Sequence, residues 1–203
     1  MATTHQHFIP AAGQRWLLPF YDPFLALLTR ERRWRGEILD ALDLKSGDVL
    51  VDVGCGTGTL AIMAKGRAPG AQIIGLDPDP DALARATAKA ARKGVTIAFE
   101  RGFGGDAAKV AGVGRATKIV STFAFHHMSD EVQAQTLAAM RDALAPGGAV
   151  HIADFTGGHF FHGPDSGKLI GDLTAAGFVN ACKIGEFRTI FGRVTQVSAQ
   201  KAH

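Results

Sequence analysis

Cysteine is scarce: Cys55 and Cys182 are the only two in 203 residues, and their separation fits neither a metal knuckle nor a disulfide framework. This excludes a disulfide-stapled scaffold and is compatible with a reducing compartment. Charge of one sign is also lacking. The formal net charge is +3 and no Lys/Arg block occurs, too little to argue for a nucleic-acid partner. No apolar run reaches the length of a membrane span. The start, Met1-Ala2-Thr3-Thr4-His5, has no basic region leading into a long apolar stretch, so it does not read as a secretory signal. Tyrosine occurs once, as Tyr21. There is no internal repeat and no low-complexity tract. What remains is 46% apolar and 20% charged, ordinary values for one globular domain. The expectation is a soluble, cytoplasmic protein.

The pattern along the chain divides at about residue 45. The first part holds Trp16, Leu17, Leu18, Phe20, Phe24 and Leu28, with Pro19 and Pro23 arguing for an irregular turn feeding a helix. From Arg30 to Leu44, Trp34, Ile38, Leu39 and Leu42 share one helical face, with Arg32, Arg33 and Glu37 largely off it. These residues, 1–45, are expected to form a helical lid over a domain spanning 46–203. In that domain apolar runs alternate with helical patterns. Val49–Val53, Ile73–Leu76, Val95–Phe99, Lys118–Phe123 and Ala149–Ala153 read as strands. Two more strands flank Phe191-Gly192, a hairpin signal. Parallel strands need crossover connections, so the fold class expected is α/β, a doubly wound, mostly parallel sheet. Ligands in such sheets sit beyond the carboxyl ends of the strands.

The first strand leads into Gly54-Cys55-Gly56-Thr57-Gly58. Glycines there allow positive φ and close approach of a ligand to the backbone. The spacing is G-x-G-x-G, not the G-x-G-x-x-G of dinucleotide enzymes, which disfavours a nicotinamide oxidoreductase. The phosphate-loop ending Gly-Lys-Ser/Thr is absent too. Asp52 precedes the turn, and Asp77 ends the second strand with Pro78 after it. One carboxylate at such a cleft can accept hydrogen bonds from two ribose hydroxyls, and the other can serve an ammonium group.

The stretch Val51-Asp52-Val53-Gly54-Cys55-Gly56-Thr57-Gly58 resembles the first motif of class I methyltransferases, and Asp77 matches their acidic residue after strand two. Phe125-His126-His127-Met128 and Leu144-Ala145-Pro146-Gly147-Gly148 resemble the broad group related to ubiquinone-biosynthesis and small-molecule methyltransferases. The resemblance covers roughly Ser46 to Ala199. It implies a seven-stranded Rossmann-like sheet of order 3-2-1-4-5-7-6 and S-adenosylmethionine, a ligand with both a ribose and an ammonium, as cofactor. It implies methyl transfer to N, O or C of a small-molecule or lipid-like acceptor. The cofactor side would comprise Asp52, Gly54, Gly56, Gly58, Asp77, Pro78, Gly102, Phe103, Asp106 and Thr122. One departure stands out. Relatives often carry Gly-Asp after the third strand, whereas here the pair is Gly102-Phe103, leaving either Asp106 or Phe103 to meet the adenine. A cofactor-binding module without turnover is the alternative this departure leaves open.

Methyl transfer needs alignment and, for some acceptors, removal of a proton. In the phosphoethanolamine methyltransferases, which the loop after strand four resembles, a histidine paired with an N-terminal tyrosine acts on the amine. His127 matches that histidine, and Tyr21 is the candidate partner. A histidine capping the next helix is the competing reading for both His126 and His127. His159 and His162 sit among glycines, so no metal site is expected. The apolar N-terminal lid suits an apolar acceptor, with peripheral membrane contact as one option.

Overall fold

The computed structural model describes residues 31–156, 165–189 and 192–203. The element order is α1 (Glu31–Leu42), β1 (Val49–Val53), α2 (Thr59–Arg67), β2 (Gln72–Asp77), α3 (Pro80–Arg92), β3 (Ala98–Arg101), α4 (Ala107–Ala111), β4 (Ala116–Thr122), α5 (Asp130–Ala143), β5 (Leu144–Phe155), α6 (Ser166–Ala175), β6 (Phe178–Thr189) and β7 (Gly192–Lys201). Short 3₁₀ turns at Gly104–Asp106 and Phe125–His127 follow β3 and precede α5.

The strands form one seven-stranded sheet of order β3-β2-β1-β4-β5-β7-β6. β1 to β5 pair in parallel, and β7 runs antiparallel to both β5 and β6. This is the expected doubly wound sheet with its closing hairpin. Each face is covered. Trp34, Ile38, Leu39 and Leu42 of α1 and Leu60, Ala61 and Ala64 of α2 pack with Leu50, Ile73, Val120 and Ala153. On the opposite face Leu137 and Met140 of α5 and Leu169 and Leu173 of α6 pack with Val51, Val53, Ile119, Val150 and Ile152. Successive residues of a strand face opposite sides. Asp52, between Val51 and Val53, therefore points to the side covered by α1 and α2. The expected helical face of α1 is the buried one, so α1 belongs to the same core as the sheet.

Several boundaries differ from the sequence expectation, and three show why. The third strand begins at Ala98, not Val95, because the Val95 amide is taken by the Ala90 carbonyl in closing α3. The fifth strand begins at Leu144, not Ala149, because α5 ends at Ala143 and Leu144 is already extended and pairs with Ala116. α1 stops at Leu42, where Asp43 takes positive φ. α3 starts on a side-chain cap: Asp79 accepts the Asp81 amide at 2.9 Å, with Pro80 at the first helical position.

Candidate active site

The glycine turn follows β1 and is tied to the end of β2. The Gly54 and Cys55 amides both donate to the Leu76 carbonyl, at 2.8 and 3.1 Å. Gly54, Gly56 and Gly58 have φ of 74°, 52° and 73°, a region that disfavours side chains. Their surroundings differ. A Cβ on Gly54 would come within 2.6 Å of the Ala124 Cβ, and one on Gly58 within 2.9 Å of Phe99 and Ala86. A Cβ on Gly56 would meet nothing within 4 Å. Gly54 and Gly58 are thus required by neighbouring protein, and Gly56 alone faces open space. Lys89, which sequence reasoning passed over, donates to the hydroxyls of Thr57 and Thr59 at 2.9 Å each and fastens the turn to α3.

Asp77 sits at the tip of β2 with both oxygens engaged. Oδ2 accepts the Gly56 amide at 2.8 Å and Oδ1 accepts the Asp79 amide at 2.9 Å. Burial raises its pKa above the usual carboxylate value, and these two amides partly offset that. Asp52 is buried as well, yet neither of its oxygens has a hydrogen-bond partner among the described residues. Burial pushes its carboxyl up to about 7, with Arg35 opposing the rise, Asp77 adding to it and the backbone amide of Ala61 opposing it more weakly. Burial and then the same two carboxylates push the Cys55 thiol far up, so it is no nucleophile. An orphaned buried carboxylate beside an open backbone turn is a site that a cationic ligand group would satisfy.

Of the remaining cofactor-side candidates, Pro78 bridges Asp77 to the α3 cap and its carbonyl accepts from Arg101 at 3.4 Å. The Gly102 amide donates to the Asp77 carbonyl at 3.1 Å, which brings the post-β3 turn beside β2. Asp106 curls back so that Oδ2 accepts the Phe103 amide at 3.0 Å, and the Phe103 ring stands exposed. Thr122 ends β4 opposite Ala153. The structure thus gathers Asp52, the glycine turn, Asp77, Pro78 and Gly102 at the carboxyl ends of β1 and β2, with Thr122 ending the neighbouring β4.

The loop after β4 forms the other wall. Phe123 takes φ 56° and its amide donates to the Ala153 carbonyl, turning the chain sharply off the strand. Phe125 is then fully buried in the core. His126 is clamped by Asp154, a buried residue near the end of β5. Oδ2 accepts the His126 amide at 3.1 Å, and Oδ1 meets His126 Nδ1 at 2.6 Å. A carboxylate accepts only, so Nδ1 carries the hydrogen. Neither histidine caps α5; Ser129 does, accepting the Val132 amide at 3.5 Å. His127 is exposed, its ring centroid 3.9 Å from that of His126. Partial burial, then the charge of His126, holds its imidazole below the ordinary value, so it is neutral at pH 7. Tyr21, and the residues before 31 expected to form a lid, lie outside the described residues, as do His159 and His162. Among the described residues no group of three or more His, Cys, Asp or Glu gathers to hold a metal.

Between this loop and α1 lies an aromatic cluster. Trp34 meets Phe123 edge-on at 5.0 Å and stacks on Phe187 at 5.5 Å. Phe123 stacks on Phe155 at 4.8 Å, and Phe155 meets His126 edge-on at 5.3 Å. The Trp34 Nε1 is buried with no partner among the described residues. Sequence reading assigned Trp34 to the core face and gave Asp154 no role. The fold joins them across the sheet.

A glycine turn after β1, an acidic residue ending β2 and the 3-2-1-4-5-7-6 sheet together define a nucleoside-binding transferase fold. The family model for a methyltransferase domain matches residues 50–148. The chain is 34% identical over 142 residues to a demethylmenaquinone methyltransferase of Thermus thermophilus, covering 68% of this chain and 62% of that protein. The enzyme of the same name from Deinococcus radiodurans is 33% identical over 142 residues, covering 68% and 57%. The chain therefore spans about 60% of the length of these curated relatives. A solved S-adenosylmethionine-dependent methyltransferase from Aquifex aeolicus superposes with a TM-score of 0.72 at 17% identity, over 97% of this chain and 100% of that one. The chain belongs to the class I methyltransferases.

Proposed function

We propose that this protein transfers a methyl group from S-adenosylmethionine to a small-molecule acceptor. The observation that carries the reading is Asp52: a fully buried carboxylate with two unsatisfied oxygens, next to the one turn glycine that faces open space. Asp52 fits the ammonium of the cofactor, Asp77 its ribose hydroxyls, and Gly56 leaves room for its backbone contacts. Phe103 or Asp106 would meet the adenine. When bound, the cofactor supplies a methyl carbon made electrophilic by its sulfonium.

The acceptor side is built from the aromatic cluster and the two histidines. Phe123 is the half-buried member of the aromatic cluster, with Trp34 and Phe155 buried against it, an apolar wall that suits a ring-bearing, lipid-like acceptor. The Thermus and Deinococcus relatives are named for such a substrate, demethylmenaquinone. His127, neutral at pH 7, takes the proton from the acceptor, with Tyr21 as its partner from the lid. A cytoplasmic setting, with the lid reaching a membrane surface for a lipid-like acceptor, completes the reading. Among the described residues no helix is long and apolar enough to cross a membrane.

The test is turnover with product detected by mass, after a screen of phenols, quinols and ethanolamine lipids. On the acceptor that responds, His127→Ala should lower kcat by about 10²–10⁴ with cofactor affinity unchanged. Wild-type rate should fall on the acid side, through a limb below the ordinary histidine value. Full turnover by His127→Ala would assign this histidine a structural role. No methyl transfer to any acceptor, with tight cofactor binding, would favour a binding module.

A further inference from the structure

We propose that Asp154 and His126 are a positioning pair for His127, holding its ring in the place from which it meets the acceptor. The proposal rests on the reading of His127 as the group that takes the acceptor's proton. It starts from how the loop after β4 spends its polar groups. The Phe123 amide donates to the Ala153 carbonyl at 2.9 Å and the His126 amide to Asp154 Oδ2 at 3.1 Å, so β5 holds the loop from one side. From α5, the buried Gln133 holds it from the other. Its Nε2 donates to the Phe125 carbonyl at 3.0 Å and the Met128 carbonyl at 3.2 Å, and its Oε1 accepts from Lys168 of α6 at 3.3 Å. The His127 amide closes the turn on the Ala124 carbonyl at 3.2 Å. The backbone on both sides of His127 is thereby fixed, and its exposed imidazole is the part left to be placed.

His126 places it. The buried Asp154 meets His126 Nδ1 at 2.6 Å, and the next residue on β5, Phe155, meets the same ring edge-on at 5.3 Å. Asp154 is itself fixed, since Oδ1 also accepts the Phe155 amide at 2.7 Å. Consecutive residues of one interior strand thus set the plane of the His126 ring. The His127 ring lies against it, the centroids 3.9 Å apart and the planes at 42°. A side chain resting on a fixed ring loses much of its freedom before substrate arrives, and that is the alignment a proton-accepting group needs. A carboxylate that only anchored the loop would need the His126 amide alone; the short bond to Nδ1 is the one that orients a ring. The pair also acts on the charge of His127. Burial first, then the charge of His126, lowers its pKa, and Asp154 raises it. At the start of α5, Asp130 pairs with Lys168 at 3.1 Å and Glu131 is exposed.

The test is nitrogen NMR of the full chain with isotope-labelled histidine, the His127 signal being assigned by its loss in His127→Ala. Wild type should show a His126 Nδ1 proton protected from exchange with water, and a His127 titration midpoint below the ordinary histidine value. Asp154→Asn, which weakens the bond to Nδ1, should exchange that proton roughly 10-fold faster or more. His126→Asn keeps a donor for Asp154 but removes the ring, and should move the His127 midpoint up while thermal melts show a folded chain. With the acceptor that the screen yields, both variants should lower kcat by roughly 10–100-fold with cofactor affinity held. A His127 midpoint identical in wild type and His126→Asn, or a His126 Nδ1 proton that exchanges freely in wild type, would overturn the pair. Undiminished kcat in both variants where His127→Ala is impaired would do the same and leave His127 as the base. Full turnover by His127→Ala, with the midpoint shift intact, would instead overturn the acid–base reading of His127 and leave the pair's hold on its ring standing.

Discussion

Asp52 and Asp77 stand at the ends of adjacent strands, both buried and both acidic, and the protein treats them differently. Asp77 accepts two backbone amides and holds the glycine turn in place. Asp52 has no well-formed hydrogen bond from the described residues, only the weaker pull of the Ala61 amide, and is kept partly protonated by its surroundings. A carboxylate that is fully bonded contributes to the fold whether or not ligand is present. One that is buried and unbonded costs stability until a ligand arrives. The contrast separates a residue whose hydrogen bonds build the turn from one the fold leaves unsatisfied, although sequence reading gives them near-equivalent roles.

The contrast is broken most severely within the turn itself. Gly56→Val should abolish cofactor binding with at most a modest loss of stability, because its side chain enters open space and only φ is strained. Gly58→Ala should do the reverse, costing roughly 1–3 kcal/mol of stability through the clash with Phe99 and Ala86. Thermal melts beside calorimetric titrations distinguish the two. Stability and affinity lost together in Gly56→Val would contradict the open-space assignment.

Asp77→Ala comes next. It should weaken cofactor binding by roughly 2–4 kcal/mol and also destabilise the apo protein, since the Gly56 and Asp79 amides lose their acceptors. Asp77→Asn should be milder in both. Normal binding by both variants would reduce Asp77 to a turn residue.

Asp52→Asn should act with opposite signs on the two quantities. The folded carboxyl sits at about 7, above its unfolded value of about 3.9. The folded state therefore binds the extra proton, and apo stability is full below about pH 4 and lost as pH rises through 7. Removing the charge should stabilise the apo protein at pH 8 by roughly 1–3 kcal/mol and flatten that dependence, while cofactor affinity falls. Denaturant titrations at pH 5 and pH 8 read it directly. A variant less stable than wild type at pH 8 would mean that the carboxylate is satisfied in the folded protein.

Much of this was legible from local pattern. The alternation of β-branched runs with helical periods yields the sheet, the buried face of α1 follows from Trp34, Ile38, Leu39 and Leu42, and the family motifs point to Asp52, the glycines and Asp77. What escaped is long-range or lies at an edge. Asp154 is 28 residues from His126 in sequence, so nothing local marks their bond. Arg35 carries no local mark either, yet in the fold its guanidinium lies 4.5 Å from the Trp34 ring centroid and its charge acts on Asp52. The third strand is misplaced because β3 is an edge strand with mostly exposed side chains, which blurs the burial period that marks interior strands. The separate roles of Gly54, Gly56 and Gly58 depend on what lies opposite each, and Ala124, Phe99 and Ala86 come from other elements.

The central claim is that Asp52 waits, partly protonated, for the cationic end of the cofactor. It is tested most directly by the proton balance of binding. S-adenosylhomocysteine titrated into the protein near pH 6.5, in two buffers of different ionisation enthalpy, should release a substantial fraction of a proton as the ammonium drives Asp52 to its ionised form. Asp52→Asn should release none beyond background. Binding that is proton-neutral in wild type, or that releases the same amount in Asp52→Asn, would contradict the account.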